Sequence, residues 1–364
     1  MSVQGILTVN GQMSLIDPQP RTMDVYYSMP DEPNEKTGLL VLVPGFGANC
    51  NSKVYQKMRR VFADQYNLYV IQCEYFGSRF MQSPYGNINL IDFAESIPES
   101  IRSKVINDFE NNKHLLDGLT LERIADLQES ESEYAEMGPV QASDILISVF
   151  SFSNFITSQG KSLNRELVIG YGHSHGAYLL YLCNGLMPDF FSDIIDVSAW
   201  LFPRYIDSSR VFCTQSNSFP KIFFYTEYIY LVSKIDIDCE VYSLSEYYSA
   251  FNNRANIYSF HGDEDILISL EEKKKFLSQI SYSSIEVIDK NRVDNDIFFS
   301  NTHGLGADFL KLFDYVVCRY SILSDNKDRE VLSIENMSFS TSKNTYWLGY
   351  DERIENIQMY IIEK

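Results

Sequence analysis

Residues 166–183 read ELVIGYGHSHGAYLLYLC. A short apolar run, Leu167 to Ile169, meets a glycine-rich turn, and a helical pattern leaves it. At the turn, Gly172-His173-Ser174-His175-Gly176 matches G-x-S-x-G. The pattern makes a physical demand. A serine on a sharp strand-to-helix turn sits in a strained backbone, so the residues two before and two after it must be small. Its hydroxyl then stands clear of the sheet, at the positive end of a helix. Ser174 is therefore the candidate nucleophile.

Working outward, strand and helix patterns alternate. Residues 39–43, LLVLV, form a continuous apolar run of strand length, as expected of a strand buried on both faces. The run ends in Pro44-Gly45-Phe46-Gly47. A helical stretch over 52–66 and a second buried strand over 68–74 follow. Residues 137–152 are apolar at helical spacing and precede the turn. Downstream, 190–198, 255–260 and 284–289 read as strands, 270–280 and 307–320 as helices. Earlier, 6–9 and 23–27 read as extended segments. The alternation predicts an α/β fold with a doubly wound, mostly parallel sheet. Two segments break the rhythm. Residues 80–136 are polar and helix-prone, and are expected to form a helical insertion or cap. Residues 202–248 are aromatic-rich and irregular, a candidate second cap segment or aromatic wall. The run Glu129–Glu136 reads as a solvated acidic face. The tail, 321–364, reads as added strands, including VLSIENMSF and IQMYIIE. One domain with these additions accounts for the 364 residues.

Composition narrows the function. A hydrophobic fraction of 45%, with 24 Phe and 25 Tyr, can fill a sizeable core. The formal charge of −19 argues against nucleic-acid and anionic-membrane partners, which need basic patches. The N-terminal MSVQGILTVNGQ lacks a basic region and a long apolar run, so no signal peptide is expected, nor is a transmembrane helix. Six cysteines without C-x-x-C spacing suggest free thiols in a reducing cytoplasm.

A serine becomes a nucleophile only when a base takes its proton and an acid orients the base. There are five histidines: 114, 173, 175, 261 and 303. His173 and His175 flank Ser174 on a tight turn and point away from it. His303, in a glycine-flanked loop after the last sheet strand, is the expected base. Asp265, on the loop after the strand 255–260, is the expected acid, with Asp263 and Asp196 as competitors. The order Ser174, Asp265, His303 suits such a sheet. The oxyanion needs two fixed N–H donors. His175 N–H is one; the other is expected from Phe46, with Gly47 next. His261 reads as structural, donating to a nearby carbonyl. Histidines 173, 175 and 261 lack the spacing of zinc-ligand pairs, so neither metal nor cofactor is expected.

LLVLVPGFG, VIGYGHSHGAYLL, SFHGDEDILI and NTHGLG together resemble the α/β-hydrolase superfamily, over roughly residues 39–320. HGDEDILI resembles that family's acid loop, H-G-x-x-D followed by aliphatics, which implies Asp265. The oxyanion loop more often begins His-Gly; here it is Pro44-Gly45, which leaves the second donor open. More narrowly, MGPVQASDILISVF and IIDVSAW are similar to an uncharacterised bacterial family often encoded near flagellin or surface-glycan modification genes. The resemblance implies a serine hydrolase that cleaves a carboxylic ester, on a small-molecule or glycan-linked acyl substrate. An acyltransferase or peptidase on the same triad, or a catalytically silent scaffold that binds a glycan or partner protein, are the other readings. Oligomeric state is not legible.

Overall fold

The structure is a computed structural model that describes residues 2–82, 89–249, 252–323, 337–351 and 356–364. The strands are β1 (Val3–Asn10), β2 (Thr22–Met29), β3 (Leu39–Val43), β4 (Tyr69–Cys73), β5 (Thr120–Ala125), β6 (Val168–His173), β7 (Asp193–Val197), β8 (Arg210–Gln215), β9 (Phe223–Tyr228), β10 (Asn256–Gly262), β11 (Ser283–Ile288), β12 (Met337–Ser340), β13 (Asn344–Asp351) and β14 (Asn356–Glu363). The helices are α1 (Lys53–Tyr66), α2 (Glu99–Asn107), α3 (Phe109–Asn112), α4 (Pro139–Ser158), α5 (His175–Leu186), α6 (Leu244–Ser249), α7 (Leu270–Leu277) and α8 (Phe309–Tyr320).

Among the described residues, eight strands form the central sheet, in the order β1-β2-β4-β3-β6-β7-β10-β11. The β1–β2 and β2–β4 pairs are antiparallel. From β4 to β11 every pair is parallel. The sequence of β3 explains the layering. All five of its residues are buried, and because strand side chains alternate, the odd and even positions feed different cores. Leu39, Val41 and Val43 join a core with residues of α4, α5 and α7, including Ile145, Leu179 and Phe276. Leu40 and Leu42 join another with α1 and α8, where Phe62 and Phe313 lie 4.4 Å apart. A mostly parallel sheet with helices on both faces, its order reversing on either side of β3, is the α/β-hydrolase fold.

The two arrhythmic segments differ from their sequence reading. The stretch 80–136, of which 83–88 lie outside the described residues, holds α2 and α3 but also the strand β5. The stretch 202–248 holds β8, β9 and α6. β5 pairs parallel with β9, and β8 pairs antiparallel with β9, so both segments build one three-stranded sheet. A small core of its own, with Phe93, Val105, Leu121 and Phe224, lies beneath it. The acidic run is not simply a solvated face. Glu136 is buried and accepts Tyr242 O–H and the N–H groups of Gly138, Val140 and Gln141. Glu129 accepts Ala135 N–H and Leu231 N–H, tying the first segment to the second.

At the C-terminus, β12, β13 and β14 form an antiparallel sheet; residues 331–336 of the expected strand VLSIENMSF lie outside the described residues. Gln12 and Gln358 stitch this sheet to the β1–β2 connection through Met359 and Gly11. Among the described residues, no helix is long and apolar enough to cross a membrane.

Candidate active site

Ser174 joins β6 to α5 with φ 52° and ψ −118°. That backbone is strained for any residue with a side chain. Two contacts hold it: Ser174 N–H donates to Val197 O at 2.7 Å, and Tyr178 N–H donates to Ser174 O at 3.1 Å. The flanking glycines are sterically obligatory. A Cβ on Gly172 would sit 2.5 Å from the Ala177 backbone, and one on Gly176 would sit 2.2 Å from Val43 O and 2.5 Å from Pro44 O. Gly176→Ala is therefore expected to push the loop after β3 off the elbow and to destabilise the fold by about 1–3 kcal/mol. A denaturant midpoint equal to that of the wild type would contradict this.

The three expected residues converge. Ser174 Oγ lies 2.7 Å from His303 Nε2. His303 Nδ1 lies 2.8 Å from Asp265 Oδ2. The elements deliver them to one sheet edge: Ser174 follows β6, Asp265 follows β10, and His303 follows β11. The Asp265 side chain is fully buried, while His303 keeps 19% of its side-chain surface exposed, so the relay opens at the histidine.

Electrostatics favour an ionised acid. Burial pushes the Asp265 carboxyl up, but the hydrogen bond and charge of His303 and the N–H groups of Ile268 and Leu267 outweigh it and hold it below the usual range. His261 lies 3.8 Å from the same oxygen. Burial, and after it the Lys273 charge, lower its pKa, so it stays neutral, with Nε2–H donating to Ile268 O at 3.0 Å. That is the structural role expected from the sequence.

Both competing acids are occupied elsewhere. Asp263 accepts Asn301 Nδ2–H at 2.7 Å and braces the His303 loop. Asp196 is buried against Lys273 Nζ at 2.6 Å and also accepts Tyr181 O–H, Ser259 O–H and Ala199 N–H.

The glycines of Pro44-Gly45-Phe46-Gly47 and Thr302-His303-Gly304 have a common purpose. A Cβ on Gly45 would sit 2.6 Å from His173 Nδ1, and one on Gly304 (φ 77°) 2.7 Å from His173 Nε2. The His173 ring is thus wedged between the two loops that carry Phe46 and His303. Desolvation, then the His303 charge, lower its pKa. The sequence anticipated packing for His173, but not this spacer role. It also missed Ser198, whose Oγ accepts Gly304 N–H at 3.1 Å and pins the base loop. The one sequence signal was its place at the end of a strand neighbouring the elbow.

His175 opens α5, where the first N–H groups have no partner within the helix. Phe46 lies on the loop after β3, with its ring 6.1 Å from that of His175. His175, next to Ser174 in the chain, and Phe46 therefore lie side by side through their rings. The His175 ring is buried, and desolvation lowers its pKa to about 3. Around Phe46 stand Trp200, Tyr205 and Tyr230, with ring centroids 5.4–5.9 Å away, and the Arg210 guanidinium 4.7 Å above it. Arg210, the first residue of β8, was not anticipated; nothing in the sequence sets it apart from Arg204, Lys221 and Lys234 in the same aromatic-rich segment. A separate cavity of about 770 Å³, lined by Ile91, Phe93, Arg123, Val211 and Tyr225 among others, lies on the inserted sheet and includes no residue of the relay.

Comparison with solved structures returns matches at low identity. With Est1E from Butyrivibrio proteoclasticus bound to ferulic acid, identity is 13% over 86% of this chain and 99% of that one, with a TM-score of 0.47. An alpha-beta serine hydrolase homologue from Coxiella burnetii gives 12%, 86% and 96%, with a TM-score of 0.42. A puromycin-hydrolyzing peptidase from Mycobacterium tuberculosis gives 12% over 90% of this chain and 40% of that one, with a TM-score of 0.49. No curated protein matches the sequence. Residues 78–348, which include the elbow, the Asp265 loop and the His303 loop, match the model of the DUF2920 family, described as a protein of unknown function, and the chain belongs to that family.

Proposed function

We propose that the chain is a serine hydrolase that cleaves an acyl bond, a carboxylic ester first among them, through Ser174, His303 and Asp265. The observation that supports this most is the continuous relay of 2.7 Å and 2.8 Å hydrogen bonds from a strained serine to a buried carboxylate. In this reading, neutral His303 accepts the Ser174 proton at Nε2 as Oγ attacks the acyl carbonyl. Asp265 holds Nδ1–H and stabilises the imidazolium that forms. His175 N–H and Phe46 N–H receive the oxyanion. His303 then returns the proton to the leaving group, and water, activated by the same histidine, releases the acyl-enzyme.

A glycan-linked acyl group, implied by the narrower sequence resemblance, belongs to the same proposal. So does a cytoplasmic setting, supported by six unpaired cysteines, three of them buried. The residues 80–136 and 202–248 are proposed to cap the site, since their shared sheet brings Arg210 over Phe46.

The direct test is covalent labelling. A fluorophosphonate probe should react with the wild type and not with Ser174→Ala, and intact mass should locate one adduct on Ser174. A folded wild type that resists the probe would remove the hydrolase reading.

A further inference from the structure

The surroundings of Phe46 carry more hydrogen-bonding capacity than the protein uses. Arg210 Nη1 and Trp200 Nε1 are buried without a hydrogen-bond partner among the described residues, while Tyr230 Oη takes a hydrogen bond from the Arg210 side chain and the buried His175 ring lies against the Met137 backbone. Trp200, Tyr230 and His175 are themselves at most 2% exposed. All of these side chains face Phe46: the Arg210 guanidinium carbon lies 4.7 Å from its ring centre, and the rings of Trp200, Tyr230 and His175 lie 5.9, 5.9 and 6.1 Å away. An unsatisfied buried polar group is costly, so a pair of them marks a place where something else binds.

The chemistry of the cluster specifies what. Arg210 and Trp200 have donors only, and Tyr230, whose oxygen is engaged by Arg210, keeps its O–H to donate. The missing partner is therefore an acceptor with several lone pairs. Arg210 adds a full positive charge. In a chain of 49 acidic residues it has no ion pair among the described residues. Glu129, the carboxylate whose field reaches Tyr230, is already committed to Ala135 N–H and Leu231 N–H. Water could satisfy the N–H and O–H groups but not the charge. A carboxylate answers both needs, because its two oxygens match the guanidinium fork and leave lone pairs for Trp200 and Tyr230.

We propose that Arg210, Trp200 and Tyr230 form a carboxylate-binding subsite, so that the preferred substrate is an acyl ester carrying a negative charge beyond the reacting carbonyl. The inference rests on the hydrolase reading above. The position follows from Phe46. Its N–H is the candidate oxyanion donor, while its ring is the floor beneath Arg210. A substrate whose carbonyl oxygen lies at Phe46 N–H therefore has one arm running across that ring toward the guanidinium. Arg210 is a specificity residue here, and β8 is the element that brings it in from the inserted sheet.

The test uses two matched pairs of esters on the full chain. Mono-(4-nitrophenyl) glutarate against 4-nitrophenyl valerate puts the carboxylate on the acyl side. 4-Acetoxybenzoate against 4-acetoxybenzamide puts it on the leaving group. The wild type is expected to favour the anionic member of one pair by about 10- to 100-fold in kcat/KM, the range of a charge-assisted hydrogen bond. In Arg210→Gln that ratio should fall to near one. Arg210→Lys should keep part of it, and Trp200→Phe, which retains the ring and loses the N–H, should lower it about threefold. A wild type with no charge preference in either pair overturns the subsite, as does a ratio that Arg210→Gln leaves unchanged. Should Arg210→Gln fail to fold, the wild-type ratio and the Trp200→Phe ratio still decide. Fluorophosphonate labelling separates the two claims. A labelled wild type without charge preference removes only the subsite, whereas an unlabelled, folded wild type removes the hydrolase reading beneath it.

Discussion

Ser174→Ala is expected to slow hydrolysis of an activated ester by about 10⁴- to 10⁶-fold while leaving the folded state intact. The reasoning is geometric. Among the described residues, Ser174 Oγ is the one nucleophilic atom within hydrogen-bond distance of His303 Nε2, and alanine keeps the backbone that Val197 O and Tyr178 N–H hold in place. His303→Ala should cost about as much, and the double variant no more, because residues that act as a unit are strongly non-additive. Asp265→Asn should lower kcat by about 10⁴-fold, since an amide donor at Oδ2 would select the wrong imidazole tautomer. The acid also leaves a trace in stability. With its folded pKa held below the ordinary 3.8, Asp265 contributes stability that is fully present above that value and lost as the pH falls through the lower folded one. Asp265→Asn should accordingly flatten the acid limb of the stability curve. Steady-state kinetics and denaturant midpoints between pH 3 and 7 check both. An Asp265→Asn variant with near-wild-type kcat, beside an Asp196→Asn variant that folds but has lost it, would transfer the acid role to Asp196.

The positions of Ser174 and Asp265 were readable because each lies within three residues of the end of a central strand, and His303, fifteen residues beyond β11, because it stands beside glycine in its own loop. β3, β4 and β6 are covered on both faces; β3 is a continuous apolar run, while Gln72 interrupts β4 and two glycines and His173 interrupt β6. The inserted sheet was not readable for a different reason. β8 and β9 do alternate; in β9, buried Phe224, Thr226 and Tyr228 alternate with exposed Phe223 and Tyr225 and half-buried Glu227. Yet aromatic residues occupy both faces, so the alternation in polarity that normally reveals a half-buried strand is erased. One of the two partners of β9 is β5, about a hundred residues earlier, and no local signal encodes that pairing. Arg210 was missed along with it, since a cation at the start of an edge strand ordinarily faces water. Asp196 and Lys273 illustrate the opposite limit. Lys273 is an unremarkable charged residue in sequence and Asp196 drew notice only as a candidate acid; only the fold brings them together in the core.

Lys273→Met is expected to destabilise the protein by about 3–5 kcal/mol, the largest loss from a single substitution outside the strained elbow. Both members of the Lys273–Asp196 pair have fully buried side chains, with Nζ 2.6 Å from Oδ2. Removing the ammonium leaves a carboxylate in the core with three remaining donors, Tyr181 O–H, Ser259 O–H and Ala199 N–H, and no compensating charge. Burial raises the Asp196 carboxyl, but the Lys273 charge overcomes it and the net shift is downward. The stability that Asp196 contributes is therefore present above the ordinary carboxylate range and lost as the pH falls through its lower folded value. In Lys273→Met the sign reverses. Without the ammonium, desolvation dominates, the folded pKa rises, and the variant should become relatively more stable as the pH falls and the carboxyl takes up a proton. The double variant Asp196→Asn/Lys273→Met should regain much of the loss, because it removes the buried charge altogether. The consequence reaches the site through a short chain of bonds. Asp196 accepts Ala199 N–H, Lys273 Nζ–H donates to Ala199 O, and neighbouring Ser198 anchors Gly304 beside His303. Denaturant titrations of the two single variants and the double, at pH 5 and pH 8, measure the coupling. A Lys273→Met midpoint within 1 kcal/mol of the wild type at pH 8 would show that the pair carries no such load, and that the His303 loop is held by Ser198 and Asp263 without it.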